Sequence, residues 1–301
     1  MSQLGIEKLK RAKVMNKKKI TKYSKKLNPR EKRGAWLGRI FIWVMMLITI
    51  FPIIAIVSAS MAKGQSFTQA SIFPTQWTLE NYTKVLKDTD FIYWVRNSLL
   101  ICTGVATLQL VLSVPAAFAF SKLRFKGRKN GLMGLLLLQM FPTTMALPAI
   151  IGITYALGFT DKPWVLILIL AGGSAYNIWL LKGAVDGIPT DLVEAAYIDG
   201  ASTAEVFFRI ILPLLRNMMI VIFLFAFIGA YSEFIFTSAL IKDSSLQTVA
   251  TGMRSFITNK FSANWTQYSA AAIMASAPLV AIFMACQKYI AKGLVSGAVK
   301  G

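Results

Sequence analysis

Apolar residues fall into six blocks along the chain. They run from about Ile40 to Met61, Phe91 to Phe120, Leu132 to Leu157, Trp164 to Leu181, Met218 to Ile241 and Ser269 to Ile290. One helical crossing of a bilayer takes about 20 such residues. A spanning segment must satisfy its own backbone groups, so each block is predicted to be a helix. Several of them contain proline, among them Pro115 in the second, Pro142 and Pro148 in the third, and Pro278 in the sixth. Kinks are expected there. The pattern predicts an all-α membrane protein of six transmembrane helices. A membrane-spanning body covers 40–290, between an N-terminal segment 1–39 and a C-terminal tail 291–301.

Composition agrees with this reading: 55% of residues are hydrophobic and the mean hydropathy is +0.57. The formal net charge of +20 changes the picture less than its size suggests. Nucleic-acid binding needs a solvated basic face on a folded domain, whereas here 14 of the 33 Lys and Arg sit in residues 1–39. The chain is therefore not expected to bind nucleic acid. The apolar block after this segment is too long for a signal peptide. It is read as an uncleaved first span, and the basic tail either touches anionic lipid or is a solvated extension.

Lys and Arg also orient the chain. With the N-terminus inside, residues 1–39, 121–131, 182–216 and 288–301 are cytoplasmic and carry 14, 5, 3 and 3 of them. Both termini are then cytoplasmic. Trp36, Trp94, Trp164 and Trp265 lie near block ends, as interfacial aromatics do.

The chemistry this chain lacks narrows its function. It has no histidine, which removes nucleophilic sites built on that base. Its two cysteines, Cys102 and Cys286, both fall in apolar blocks, and no phosphate-binding loop of the Walker type occurs. No enzymatic or metal site is expected, and no cofactor on this chain.

The inner loop 182–216 is the informative segment. Pro189, Thr190 and Asp191 supply a helix start with Thr190 as N-cap. Gly200 is placed to end that helix in a left-handed conformation. Ser202 or Thr203 can cap a second helix, with Glu205 at its positive end. The prediction is two short helices joined by a turn.

Within that hairpin, Glu194-Ala195-Ala196, then Gly200 after three residues, then Ile210, Leu212 and Pro213, reproduce every fixed position of a known motif. It resembles the EAA loop of permease subunits of binding-protein-dependent ABC importers. The segments Phe120 to Gly127, Gln139 to Pro142, Phe73 to Asn81 and Lys292 to Gly301 are similar to those of the second permease subunit of maltose-type importers. The resemblance covers about residue 35 to the C-terminus. The long basic tail departs from the pattern.

The resemblance implies a type I importer permease in a bacterial cell membrane, importing a carbohydrate of maltodextrin type by alternating access. It makes Glu194, Ala195, Ala196, Gly200, Ile210, Leu212 and Pro213 the element that couples to ATPase subunits. It implies as partners a second, unlike permease, two ATPase subunits that carry ATP and Mg, an extracytoplasmic solute-binding protein and the lipid bilayer. The outer loop with Asn259, Lys260, Asn264 and Trp265 corresponds to a loop that enters the binding protein's cleft.

Other residues admit two readings. Glu233, in the outer part of the fifth block, either lines a pathway or is held by hydrogen bonds. Tyr176 and Asn177 either line a sugar path or bond between helices. Gly172-Gly173 is read as a site of close helix packing. Gly293 to Gly301 is read as too polar and glycine-rich to extend the sixth span. Other substrates compatible with the family are another sugar or glycerol phosphate. A different class, an ion-driven secondary transporter, predicts inverted repeats and midplane ion ligands, and neither is visible. A non-transporting membrane scaffold is a third reading.

Overall fold

The computed structural model describes residues 28–64, 73–258 and 263–298. The chain divides into two compact units, 1–54 and 55–301. Helix α1 (Pro29–Ser60) begins about ten residues before the first apolar block. Proline suits a first helical turn because the amide it lacks would be unpaired there. The backbone amide of Asn28 donates to the Glu31 carboxylate at 2.9 Å, which ties down the helix start. Large apolar side chains point outward all round α1, as at Trp43 and Leu47. That is the surface of a helix whose solvent is lipid.

In the second unit, a short amphipathic helix α2 (Glu80–Asp88) precedes the long helix α3 (Phe91–Lys122). The third apolar block is a bent pair, α4 (Arg128–Gln139) and α5 (Leu147–Ala156), joined through a tight 3-10 turn at Thr143–Ala146. The two arms diverge by 75°. Pro142 is the cause, since it offers no amide and pushes Phe141 out of the helical region. Pro148 instead sits in the first turn of α5, where proline is tolerated. Helix α3 runs unbroken through Pro115.

The fourth block is also broken. Helices α6 (Pro163–Ala171) and α7 (Ala175–Asp186) meet at 53°. The break is Gly172-Gly173-Ser174, which corrects the expectation of close packing. A Cβ on Gly173 would meet nothing nearer than 3.8 Å. Two adjacent glycines lose more backbone entropy in a helix than other residues do, so the helix stops there. The hairpin α8 (Thr190–Ile198) and α9 (Thr203–Leu214) leads into α10 (Arg216–Tyr231) at 73°. The fifth block breaks again after Tyr231, and α11 (Ile235–Leu240) completes it.

Helix α12 (Trp265–Ala298) runs through Pro278 and on into the C-terminal tail. The helix thus extends into the glycine-rich segment expected to end it. Gly293 and Gly297 each cost about 1 kcal/mol in a helix interior, too little to stop a helix already propagating.

Helix α3 is the central element. It packs against α10, α7 and α6, while α10 also packs on α12. Among the described residues, a small apolar cluster of Ile101, Val105, Leu166, Phe236, Leu240 and Ile241 accompanies two larger cores. Val114, Phe118, Leu181, Val185, Val193, Val206, Ile211 and Ile222 form one, toward the hairpin. Phe91, Trp94, Phe227, Val249, Phe256 and Ala271 form the other, toward the opposite end.

Candidate functional site

The α8–α9 hairpin is built by local rules. The carbonyl ends of α8 are closed by two bonds across the turn. The Ala201 amide donates to Ala196 O at 2.9 Å, and the Gly200 amide donates to Tyr197 O at 3.1 Å. This pairing requires a left-handed residue after the helix, and Gly200 supplies it with φ +85°. Ser202 starts α9. Its hydroxyl accepts from the Glu205 amide at 3.2 Å, while the Glu205 carboxylate accepts from the Ser202 amide at 3.0 Å. These bonds, with Arg209 at 3.2 Å, hold the Glu205 carboxyl below its usual range, the Ser202 backbone bond foremost. Thr190 is not the N-cap: it is the first helical residue, and Pro189 precedes it with no side-chain cap.

A π-helical stretch, Val206–Ile211, interrupts α9. Pro213 explains it. Its ring crowds the carbonyl of Arg209 and it has no amide to offer, so the preceding turn widens.

Val193, Val206 and Ile211 root the hairpin in the core, and Ala196, Ile210 and Leu212 are half-buried beside them. The small side chain of Ala196 therefore serves packing within this chain. Glu194, Ala195, Gly200 and Pro213 face outward. Glu194 makes no hydrogen bond or ion pair among the described residues. Ile198 is 86% exposed and Phe208 62%. Neither was singled out from sequence, although both depart from the buried register set by Val193 and Val206.

Tyr176, Asn177 and Glu233 come together around one cavity of about 580 Å³. Two residues missed in the sequence, Gln109 and Gln139, complete its polar wall. The break between α6 and α7 leaves backbone groups without helical partners, and the glutamines take them. Gln109 Nε2 donates to Leu170 O at 3.0 Å, and its Oε1 accepts from Asn177 Nδ2 at 2.7 Å. Gln139 Nε2 donates to Gly173 O at 2.8 Å, and its Oε1 accepts from the Tyr176 amide at 2.9 Å. An amide inside an apolar block is the signal that could have found them.

Glu233 performs the same task at the second break. Its carboxylate accepts from the amides of Phe236 at 2.7 Å and Thr237 at 2.9 Å, and from Thr237 Oγ1 at 2.6 Å. Glu233 is thus held by local hydrogen bonds, and it also lines the cavity. Among the described residues, no Lys or Arg lines this cavity.

At the outer loop, Asn259 and Lys260 lie outside the described residues. Asn264 is half-buried, and its Oδ1 accepts from the Gln267 amide and Thr266 Oγ1, both at 3.0 Å. It starts α12. Trp265 beside it is exposed and meets Tyr268 edge-on.

Residues 109–296 match the family model described as binding-protein-dependent transport system inner membrane component. The chain belongs to this family. As an inner membrane component of that type it is a transport subunit. Among its relatives is the maltodextrin transport system permease protein MdxG of Bacillus subtilis, 33% identical over 263 residues, 87% of this chain and 95% of that protein. Another is the galactooligosaccharides transport system permease protein GanQ of the same organism, 35% identical over 85% of this chain and 92% of that protein. The fold resembles that of a bacterial ABC transporter involved in the import of the acidic polysaccharide alginate. The TM-score there is 0.75 at 20% identity, covering 88% of this chain and 99% of the other. The architecture is thus that of the all-α type I importer permeases. Broken spans also occur in ion-driven transporters; family membership separates the two.

Proposed function

We propose that this chain is one of two unlike membrane-spanning permeases of an ATP-driven, binding-protein-dependent importer of a neutral oligosaccharide of maltodextrin type. The observation that carries the substrate class is the wall of the 580 Å³ cavity. Amides, a tyrosine and a carboxylate offer donors and acceptors to hydroxyl groups, and aromatic faces suit sugar rings. With Glu233 present and no cation among the described residues of the lining, the cavity disfavours glycerol phosphate and other anions. The similarity to maltodextrin and galactooligosaccharide permeases supports the same class.

The hairpin is the element that meets the ATPase subunits. Glu194 and Ile198 are presented outward on a helix whose opposite side is rooted in the core. ATP and Mg belong to those subunits. The hairpin and both termini lie in the cytoplasm, and the outer loop with Asn264 and Trp265 meets the solute-binding protein.

The test is reconstitution of this chain with a partner permease, ATPase subunits and the binding protein in sealed vesicles. Maltodextrin-loaded binding protein should stimulate both ATP hydrolysis and uptake, and glycerol phosphate should do neither. A cysteine at Ser202 should be unreactive to an impermeant thiol reagent added outside intact cells, and one at Ser66 reactive. Uptake driven by an ion gradient without ATP would overturn the reading.

A further inference from the structure

Helix α4 carries Gln139 of the central cavity at one end and a second, larger cavity of about 800 Å³ at the other. Twelve helical residues, ~18 Å, separate the two ends. The second cavity differs from the first in chemistry. Arg128, Lys129 and Lys182 line it, together with Phe125, Met133 and Trp179.

The three cations are not equivalent. Lys182 bonds Asp186 at 2.6 Å, so its charge is offset. Arg128 donates from Nε to Phe120 O at 2.8 Å and from a terminal nitrogen to Ser121 O at 2.5 Å. Both acceptors are neutral, so the guanidinium charge meets no carboxylate among the described residues. Lys129 likewise has no ion pair among the described residues. No side chain caps the start of α4 behind them, which adds the positive end of a twelve-residue helix. Apart from Asn130 the remaining side chains of the wall are apolar, and Met133, Phe125 and Trp179 are all exposed. Met133 and Leu136 follow Lys129 along the same side of α4, four and seven residues on.

A basic mouth that continues into an apolar wall, on a protein embedded in a bilayer, has the chemistry of a phospholipid site. We propose that this cavity holds an anionic phospholipid, with its phosphodiester beside Lys129 and Arg128 and an acyl chain along Met133 and Leu136. Free phosphate shares the headgroup chemistry but leaves the apolar wall uncovered.

The experiment uses the full chain, purified with its accompanying subunits in nanodiscs. The probes are phosphatidylglycerol and phosphatidylcholine carrying the same photoreactive acyl chain. Phosphatidylglycerol should label peptides containing Met133, Leu136 or Trp179. Lys129→Gln should lower that yield about fivefold, the ratio equivalent to about 1 kcal/mol for one cation near an anionic headgroup, and Lys129→Arg should restore it. Arg128 is left intact because its guanidinium also holds two backbone carbonyls. Equal labelling by phosphatidylcholine, or labelling unchanged in Lys129→Gln, would overturn the proposal. Loss of labelling to millimolar inorganic phosphate would assign the site to free phosphate. Photo-crosslinking from a benzoylphenylalanine at position 133 to another subunit would make the cavity a protein interface, and either result refutes the lipid.

Discussion

Asn177 donates from Nδ2 to Oε1 of Gln109 at 2.7 Å, joining α7 to α3 across the wall of the central cavity. The same glutamine holds the Leu170 carbonyl at the broken end of α6. Removing the Asn177 amide leaves a half-satisfied pair. Hydrogen bonds between membrane helices are worth about 0.6 kcal/mol on average and up to about 1.7. Asn177→Leu should lower the melting temperature of the purified complex slightly and reduce sugar uptake more. Gln109→Leu should cost more stability, because it also strands a backbone carbonyl. Thermal melts and uptake on both variants check the order.

Glu194 faces outward without a partner among the described residues, so this chain's own stability should barely notice its loss. A surface change of this kind stays within about 0.5 kcal/mol. If Glu194 pairs with a basic residue of an ATPase subunit, Glu194→Ala should instead weaken that association by about 2–5 kcal/mol. Gly200→Val acts differently: a β-branched residue at φ +85° costs of order 1 kcal/mol or more within the hairpin itself. ATPase co-purification and melting curves, read together, separate the two effects. Normal ATPase association and full uptake in both variants would remove the coupling role.

The bonds between Ser202 and Glu205 make the start of α9 sensitive to acid. The folded-state carboxyl of Glu205 titrates below its ordinary range. Its contribution is therefore complete above the unfolded-state value and is lost as pH falls through the lowered one. Hydrogen exchange over 202–206 should show the wild type better protected than Glu205→Gln at neutral pH. That difference should close in strong acid. A pH-independent difference would mean the charge plays no part in the cap.

Gly252 packs against the ring of Trp94, where an added Cβ would lie 2.2 Å from Cδ2. The indole is held in place by Phe91 and Phe256, each edge-on. Gly252→Ala should therefore destabilise by about 1–3 kcal/mol, the usual range for overpacking. The companion change Gly229→Ala, which meets nothing within 4 Å, should be close to neutral. A comparison of detergent melting temperatures is sufficient.

The periodic and capping signals in the sequence read well because they depend on neighbours a few residues apart. Gly200 and Ser202 took the conformations their positions imply, since the turn and the cap are decided locally. The six apolar blocks matched helical regions for the same reason. What sequence did not show was where the fourth and fifth blocks break. Gly172-Gly173 and Ser232-Glu233-Phe234 become gaps only because Gln109, Gln139 and Glu233 are there to take the freed backbone groups. Two of those partners lie more than thirty residues away in the chain. The end of the last helix was not legible for an energetic reason, in that a long helix overruns two isolated glycines. Thr190 failed because Pro189 already fixes the entry geometry.

The rooting of the α8–α9 hairpin has a mechanical consequence. Val193, Val206 and Ile211 share one close-packed core with Phe118 of α3 and with Ile178 and Leu181 of α7. Packed interiors compress little and transmit strain. A displacement imposed at Ile198 is therefore not absorbed in the hairpin: it works as a short lever on α3 and α7. Those are the two helices that carry Gln109 and Asn177 into the cavity, so a push at Ile198 is expected to change the cavity's width.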